Sequence, residues 1–247
     1  WAWRPGRVKK YGAAIDMMAV IFPFEVAYYE AERVPVRYVG HPSVDKVHPQ
    51  HSKKEDLGLF GLSKASPIVG ILPGSRANEI ERMLPVMLAA AHQLQTKFPG
   101  IHFLLPQADS IPDNLLAEQL RSTSLIITVI KHKPYDVIQC CDAIMTTSGT
   151  ASLEIALLGI PLVIAYKLSP ITYWLGRLLV KIPYIGLPNI ILGKAAVKEL
   201  IQHKASADNL ADEISKILKD KVYTEQIRQD LAQVKQQLGE GGGSKNT

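Results

Sequence analysis

Two short segments of the chain combine residue types that bind anions. In Ile71-Leu72-Pro73-Gly74-Ser75-Arg76-Ala77-Asn78-Glu79, an apolar run ends in a glycine, a hydroxyl and a guanidinium, and a helical pattern starts directly after it. Gly74 permits close backbone approach, Ser75 offers a hydroxyl, and Arg76 can clamp a phosphate with its planar fork of donors. Unpaired N–H groups at a helix start favour the same charge. The spacing matches neither GxxxxGK[ST] nor GxGxxG, so the segment also reads as an ordinary helix start capped by Ser75 or Asn78. The second segment is Thr146-Thr147-Ser148-Gly149-Thr150-Ala151-Ser152-Leu153-Glu154. Five hydroxyl-bearing residues and a glycine crowd one strand end and helix start. Ser148, Gly149 and Thr150 are candidate donors to a diphosphate, and Glu154 is placed to accept hydrogen bonds from a ribose diol. The competing reading is a well-capped helix with a favourable acidic first turn.

Two anion-friendly turns on one sheet point to one extended ligand, such as a nucleoside diphosphate. No Asp-x-Asp pair occurs to carry a divalent ion on that diphosphate. The expectation is a metal-independent site without a cofactor, in which helix dipoles and Arg76 neutralise the charge. Other candidates are weaker. His41, in Gly40-His41-Pro42, reads as structural. His48 and His51 lie in a polar stretch where a metal site lacks further ligands. Asn189, after Pro188, either caps a helix running from Gly193 or contacts ligand.

Such turns work only if a sheet holds them. Strand-like apolar runs are Met17–Phe22, Val36–Val39, Ile68–Leu72, His102–Leu105, Leu125–Val129, Ala143–Thr146 and Pro161–Ala165. Helical patterns cover 24–33, 79–97, 112–121, 134–139 and 151–158. The alternation predicts an α/β fold, a Rossmann-like doubly wound parallel sheet, whose ligands bind at the carboxyl ends of the strands. Helical patterns at 194–202, 207–219 and 222–238 follow, with no strand expected among them. The polar stretch Asp45–Asp56 reads as a linker, which places a domain boundary near residue 41.

Composition narrows the class. Of 247 residues, 47% are hydrophobic and 21% charged, which excludes wholesale disorder. The net charge is +5, but Arg4, Arg7, Lys9 and Lys10 supply four of those charges within the first ten residues. A general basic surface for nucleic acid is therefore not indicated. Cys140 and Cys141, adjacent in sequence, fit a reducing setting. The stretch Ile171–Leu192 is apolar, but Arg177, Lys181, Pro183 and Pro188 interrupt it. A bilayer-spanning helix is thus rejected. A helix on a membrane surface, on the sheet or in a dimer interface remains open.

The assembled motifs resemble the lipid-A-disaccharide synthase family. The matching residues are WAWR at 1–4, FPFE at 22–25, GHP at 40–42, LPGSR at 72–76, SGTASLE at 148–154, the YWLGRLLVKIPYIGLPN run at 173–189 and VKELIQ at 197–202. The combination covers nearly the whole chain in order. The resemblance implies the C-terminal half of a GT-B glycosyltransferase. Residues 1–41 would be the end of the N-terminal, acceptor domain and 42–247 the donor-binding domain. It implies inverting, metal-independent transfer from UDP-2,3-diacylglucosamine to 2,3-diacylglucosamine 1-phosphate, releasing UDP. Gly74, Ser75 and Arg76 would meet the donor phosphates, Ser148, Gly149 and Thr150 would line the opposite side, Glu154 would hold the ribose, and Asn189 would lie close to the diphosphate. The uracil would sit near 130–134. The general base is expected to be an Asp of the N-terminal half, so this piece alone is expected to be inactive. The setting implied is cytoplasmic, peripheral on the inner face of the bacterial inner membrane. Alternatives are another UDP-N-acetylglucosamine-using GT-B enzyme, or a UDP-binding module without turnover.

Overall fold

A computed structural model describes residues 8, 10, 12, 14–62, 66–121, 123–168 and 183–241. The chain opens with a small parallel pair: β1 (Met18–Val20), the crossover helix α1 (Glu25–Ala31) and β2 (Val36–Tyr38). Two short helices follow, α2 (Pro42–Lys46) and α3 (Lys53–Leu59). The polar stretch read as a linker thus carries helix at both ends. Ser52 explains the second: its hydroxyl accepts from the Glu55 amide while the Glu55 carboxylate accepts from the Ser52 amide, a reciprocal capping box. Val47 from this stretch and Leu57 just after it join the main hydrophobic core.

The main unit is β3 (Ile68–Leu72), α4 (Ala77–Lys97), β4 (His102–Gln107), α5 (Asp113–Leu120), β5 (Ile127–Lys131), α6 (Pro134–Cys140), β6 (Ala143–Thr146), α7 (Thr150–Leu157), β7 (Leu162–Tyr166), α8 (Leu187–Leu192), β8 (Lys198–Ile201), α9 (Ala207–Lys219) and α10 (Lys221–Leu238). Its six strands form one parallel sheet in the order β5-β4-β3-β6-β7-β8. Every residue of β3 and β6 is buried. Strands covered on both faces read as continuous apolar runs, which is why these segments were legible.

Helix α4 packs Ile80, Met83, Leu84, Met87, Leu88, Ala91 and Leu94 inward at three- and four-residue spacing, against α9 among others. Each of the Ile, Leu and Met side chains contributes roughly 1.5–3 kcal/mol by leaving water. Gly70 in β3 is needed for this fit, because a Cβ there would lie 2.9 Å from Ile144 Cγ1 and 3.0 Å from Cys141 Sγ. The C-terminal helix also reaches the small sheet: the Tyr38 hydroxyl donates to the Leu238 carbonyl at 2.7 Å.

Two expectations need correction. Residues 194–202 contain a strand instead of a helix. Lys198–Ile201 pairs in parallel with β7 from Val163 to Tyr166 as the sheet's sixth strand, and Gln202–Lys204 follows as a 3₁₀ turn. The edge of β7 supplies the backbone partners that outweigh the helical propensity of Lys, Glu and Leu. The helix near Asn189 spans Leu187–Leu192 and ends at Gly193, whose φ of +65° is a left-handed stop, so Asn189 caps nothing that starts there. Smaller shifts occur at β1, which is shorter than Met17–Phe22, and at β5, which begins two residues later than Leu125. Most of the apolar run at 171–192 lies outside the described residues. Among the described residues no helix is long and apolar enough to cross a membrane.

Candidate functional site

The sheet order reverses between β3 and β6. From β3 the chain builds outward through β4 and β5, then returns to the other side of β3 and builds outward through β7 and β8. The carboxyl ends of β3 and β6 are therefore adjacent, with Leu72 opposite Thr146 and the Thr147 amide donating to the Leu72 carbonyl at 3.2 Å. Loops leaving such a switch point diverge and open a crevice. Here they enclose a cavity of about 550 Å³. The two turns singled out in the sequence form its facing walls. Gly74, Ser75, Arg76, Ser148, Gly149, Thr150 and Glu154 all line it.

In the β3–α4 turn, Gly74 has φ +123°, a region that other residues rarely enter. A Cβ at Gly74 would also lie 2.6 Å from the Glu79 Cβ. This packing brings Glu79 back over the turn. Its Oε2 accepts the Ser75 amide at 3.0 Å and its Oε1 accepts from Arg76 Nη1 at 3.1 Å. A carboxylate of the chain itself thus occupies the donors that an external anion would use. The Arg76 side chain is 75% exposed, free to turn toward a ligand. The Ser75 carbonyl is held from the β4–α5 loop by the Ser110 hydroxyl at 2.7 Å.

The β6–α7 turn is built differently. Its hydroxyls are largely committed to the backbone: Thr146 to the Thr147 carbonyl at 3.3 Å, Ser148 to the Ile185 carbonyl at 2.8 Å and Ser152 to the Gly149 carbonyl at 2.7 Å. Thr146 and Ser152 are fully buried. Three of the five hydroxyls therefore shape the turn, while Thr150 lines the cavity at the start of α7, whose opening amides favour an anion.

Deeper in the cavity, the Tyr135 hydroxyl donates to Glu154 Oε1 at 3.2 Å. Burial raises the Glu154 carboxyl above its ordinary value, against the lowering effects of that hydrogen bond and of Lys46. Burial, reinforced by the Glu154 charge, pushes the Tyr135 phenol up to about 12, so it is a donor at neutral pH. At the mouth, His132 Nδ1 lies 2.9 Å from Asp109 Oδ1, both well exposed.

Asn189 is not brought to this cavity. Its fully buried amide donates to the Val197 carbonyl at 2.9 Å and to Glu199 Oε1 at 2.8 Å, and its carbonyl accepts the Val197 amide at 2.9 Å. It stitches α8 to the approach to β8. Glu199 then accepts the Ile185 and Gly186 amides, both at 3.0 Å. Since Ser148 is tied to Ile185, Asn189 acts on the cavity wall through the backbone. The sequence reading gave no role to Glu79 or Tyr135. Glu79 carried a signal, a carboxylate three and four residues after the candidate donors at a helix start. Tyr135 carried none beyond the Pro134 that begins its helix.

Comparison with known proteins decides the family. The family model for lipid-A-disaccharide synthetase matches residues 1–245. The chain belongs to the lipid-A-disaccharide synthetase family. Within it, the lipid-A-disaccharide synthase of Geobacter sulfurreducens is 50% identical over 244 residues, covering 99% of this chain and 64% of that protein. The enzyme of that name from Nitrosococcus oceani is 43% identical, over 98% of this chain and 62% of its own length. The chain thus spans a little under two thirds of the curated relatives it matches. Among solved structures, the UDP-GlcNAc 2-epimerase of Neisseria meningitidis bound to UDP-GlcNAc superposes with a TM-score of 0.63 at 15% identity, over 95% of this chain and 60% of that one. A glycosyltransferase from Rickettsia africae gives 0.58 at 11%, over 96% and 63%. At those identities the likeness establishes the fold, an α/β unit shared by GT-B glycosyltransferases and epimerases.

Proposed function

We propose that this chain is the donor-binding part of a lipid A glycosyltransferase that joins UDP-2,3-diacylglucosamine to 2,3-diacylglucosamine 1-phosphate, giving lipid A disaccharide 1-phosphate and UDP. Residues 42–247 form the donor domain, and 1–41 end the acceptor domain. The observation that carries the reading is the meeting of the LPGSR and SGTASLE turns across one cavity at the switch point of the sheet, in a chain of this family. A UDP-sugar-binding enzyme of the same fold supports a nucleotide-sugar ligand.

The diphosphate lies between the two turns. It displaces the Glu79 carboxylate from the Ser75 amide and from Arg76, and the guanidinium swings onto the phosphates as a charge-assisted fork. The α7 amides bind from the other side. Glu154 accepts the ribose hydroxyls, with Tyr135 fixing the rotamer of its carboxylate. The uracil rests near 130–134, where His132 and Pro134 line the cavity. Transfer is inverting: the acceptor hydroxyl attacks the anomeric carbon as the bond to the β-phosphate breaks. The charge then growing on that phosphate meets preorganised amides and Arg76, an arrangement worth about 3–4 kcal/mol per well-placed donor in other enzymes. No divalent ion is required on the diphosphate. The base that takes the acceptor proton comes from the acceptor domain, so this part alone does not turn over, and closure of the two domains assembles the site. The protein meets the inner face of the inner membrane as a peripheral protein, where both lipid substrates lie.

Calorimetric titration of UDP tests the reading. Wild-type protein should bind, and Arg76→Ala should lose most of the affinity. Unchanged affinity would remove Arg76 from the phosphate site. Assay of the intact enzyme with acylated against N-acetylated donors then separates lipid A synthesis from other UDP-N-acetylglucosamine chemistry.

A further inference from the structure

We propose that His51, Asp56 and Asp136 form a structural site for a divalent transition-metal ion with mixed nitrogen and oxygen preference, Zn²⁺ above all, behind the nucleotide cavity. The three residues come from the loop before α3, from α3 itself and from the first turn of α6. One ligand atom from each lies within 4.8 Å of the other two. His51 Nδ1 and Asp56 Oδ1 are 3.3 Å apart. Tetrahedral coordination with bonds of about 2.0–2.1 Å places neighbouring ligand atoms roughly 3.3–3.4 Å apart, so this pair already has the spacing of one edge.

A cluster of acids alone would be weak ground. The second observation is that Asp56, with no exposed surface, leaves Oδ1 without a hydrogen-bond partner, and the buried His51 Nδ1 has none either, each having only the other at ion-pair distance. The other Asp56 oxygen is held by Gln139 Nε2 at 2.5 Å, and the same amide donates to the His51 carbonyl at 2.9 Å. Asp136 Oδ1 accepts the amides of Gln50 at 2.6 Å and His51 at 3.4 Å. The carboxylates are thus oriented by outer hydrogen bonds, as metal ligands usually are. Two carboxylates buried this close repel each other and cost desolvation energy, and a dication offsets both. An imidazole with two carboxylates suits zinc better than magnesium, which prefers oxygen and retained waters. The His51 side chain is 36% exposed, so the cluster lies near the surface on the imidazole side. None of the three residues lines the nucleotide cavity. The ion would instead clamp α3 to α6, the helix that begins with the cavity residues Pro134 and Tyr135.

The test uses the intact protein, stripped with chelator and then equilibrated with Zn²⁺, Mn²⁺ or Mg²⁺ alone. Metal content is read by mass spectrometry, and thermal midpoints are recorded. The expected result is one zinc per chain, a raised midpoint, weaker manganese and no magnesium retention. His51→Ala and Asp56→Asn should each abolish zinc retention. Asp56 is fully buried and its exchange risks misfolding. His51→Ala, at a partly exposed position with circular dichroism as a check, is therefore decisive. The proposal is overturned if the wild type retains no zinc, if His51→Ala retains it unchanged, or if the His51 ring signals do not move with zinc.

Discussion

The two walls of the cavity at the switch point are built in opposite ways. The β3–α4 turn is charged and latched: Glu79 holds the Ser75 amide and Arg76. The β6–α7 turn is neutral and largely tied down: the hydroxyls of Thr146, Ser148 and Ser152 bond to carbonyls within the chain, and Thr150 at the start of α7 lines the cavity. The first wall spends part of its attraction on an internal anion, and the second spends its side chains on rigidity. The contrast teaches that a run of Ser and Thr at a strand end can serve the backbone of its own turn, while one carboxylate can hold a whole turn.

The largest expected effect breaks the charged wall. Arg76→Ala should weaken UDP by roughly 10–100-fold, the range of a hydrogen bond to a charged group, read by calorimetry. Next, Glu154→Gln should weaken UDP by about tenfold, the scale of one hydrogen bond, while pyrophosphate binding stays as in wild type. Equal losses on both ligands would instead report a folding defect.

Glu154 also yields a stability test. Its folded-state pKa is raised, so below the ordinary carboxylate value both states are protonated and nothing is lost. As pH rises through that value toward the raised one, folding holds a proton that the unfolded chain releases, and stability falls. Glu154→Gln should therefore melt at or above wild type at neutral pH, with the difference vanishing in acid. A lower midpoint for the variant at neutral pH would contradict this.

Smaller still is the latch. Glu79→Gln keeps a hydrogen-bond acceptor but removes the competing charge, and should tighten pyrophosphate by a few-fold. Weaker binding would mean that Glu79 positions Arg76 and does not compete for it. The smallest effect should come from the neutral wall: Ser148→Ala, whose hydroxyl is committed to Ile185, should change UDP affinity by no more than about twofold to fivefold, one uncharged hydrogen bond at most.

Strands covered on both faces and a glycine-arginine turn are local properties, so the order of β3 to β7 and the LPGSR turn were legible in the residues. Lys198–Ile201 was not, because a short amphipathic tetrapeptide becomes a strand only when β7 offers an edge. Asn189 misled for a related reason. A polar residue after proline looks available, and only packing reveals its amide satisfied by Val197 and Glu199. The Ser52–Glu55 capping box is a local signal in the residues, but the surrounding His, Lys and Pro give the stretch the composition of a linker.

Short-range pattern and residue type suffice for the family, the alternating βα order and seven of the residues that line the cavity. The tertiary structure alone decided which groups are already in use. Glu79 reaches back over its own turn, Ser148 is tied to Ile185 across 37 positions, and His51 meets Asp136 across 85. Hydrogen bonds and ligand clusters form between atoms a few ångströms apart, and only folding sets those distances.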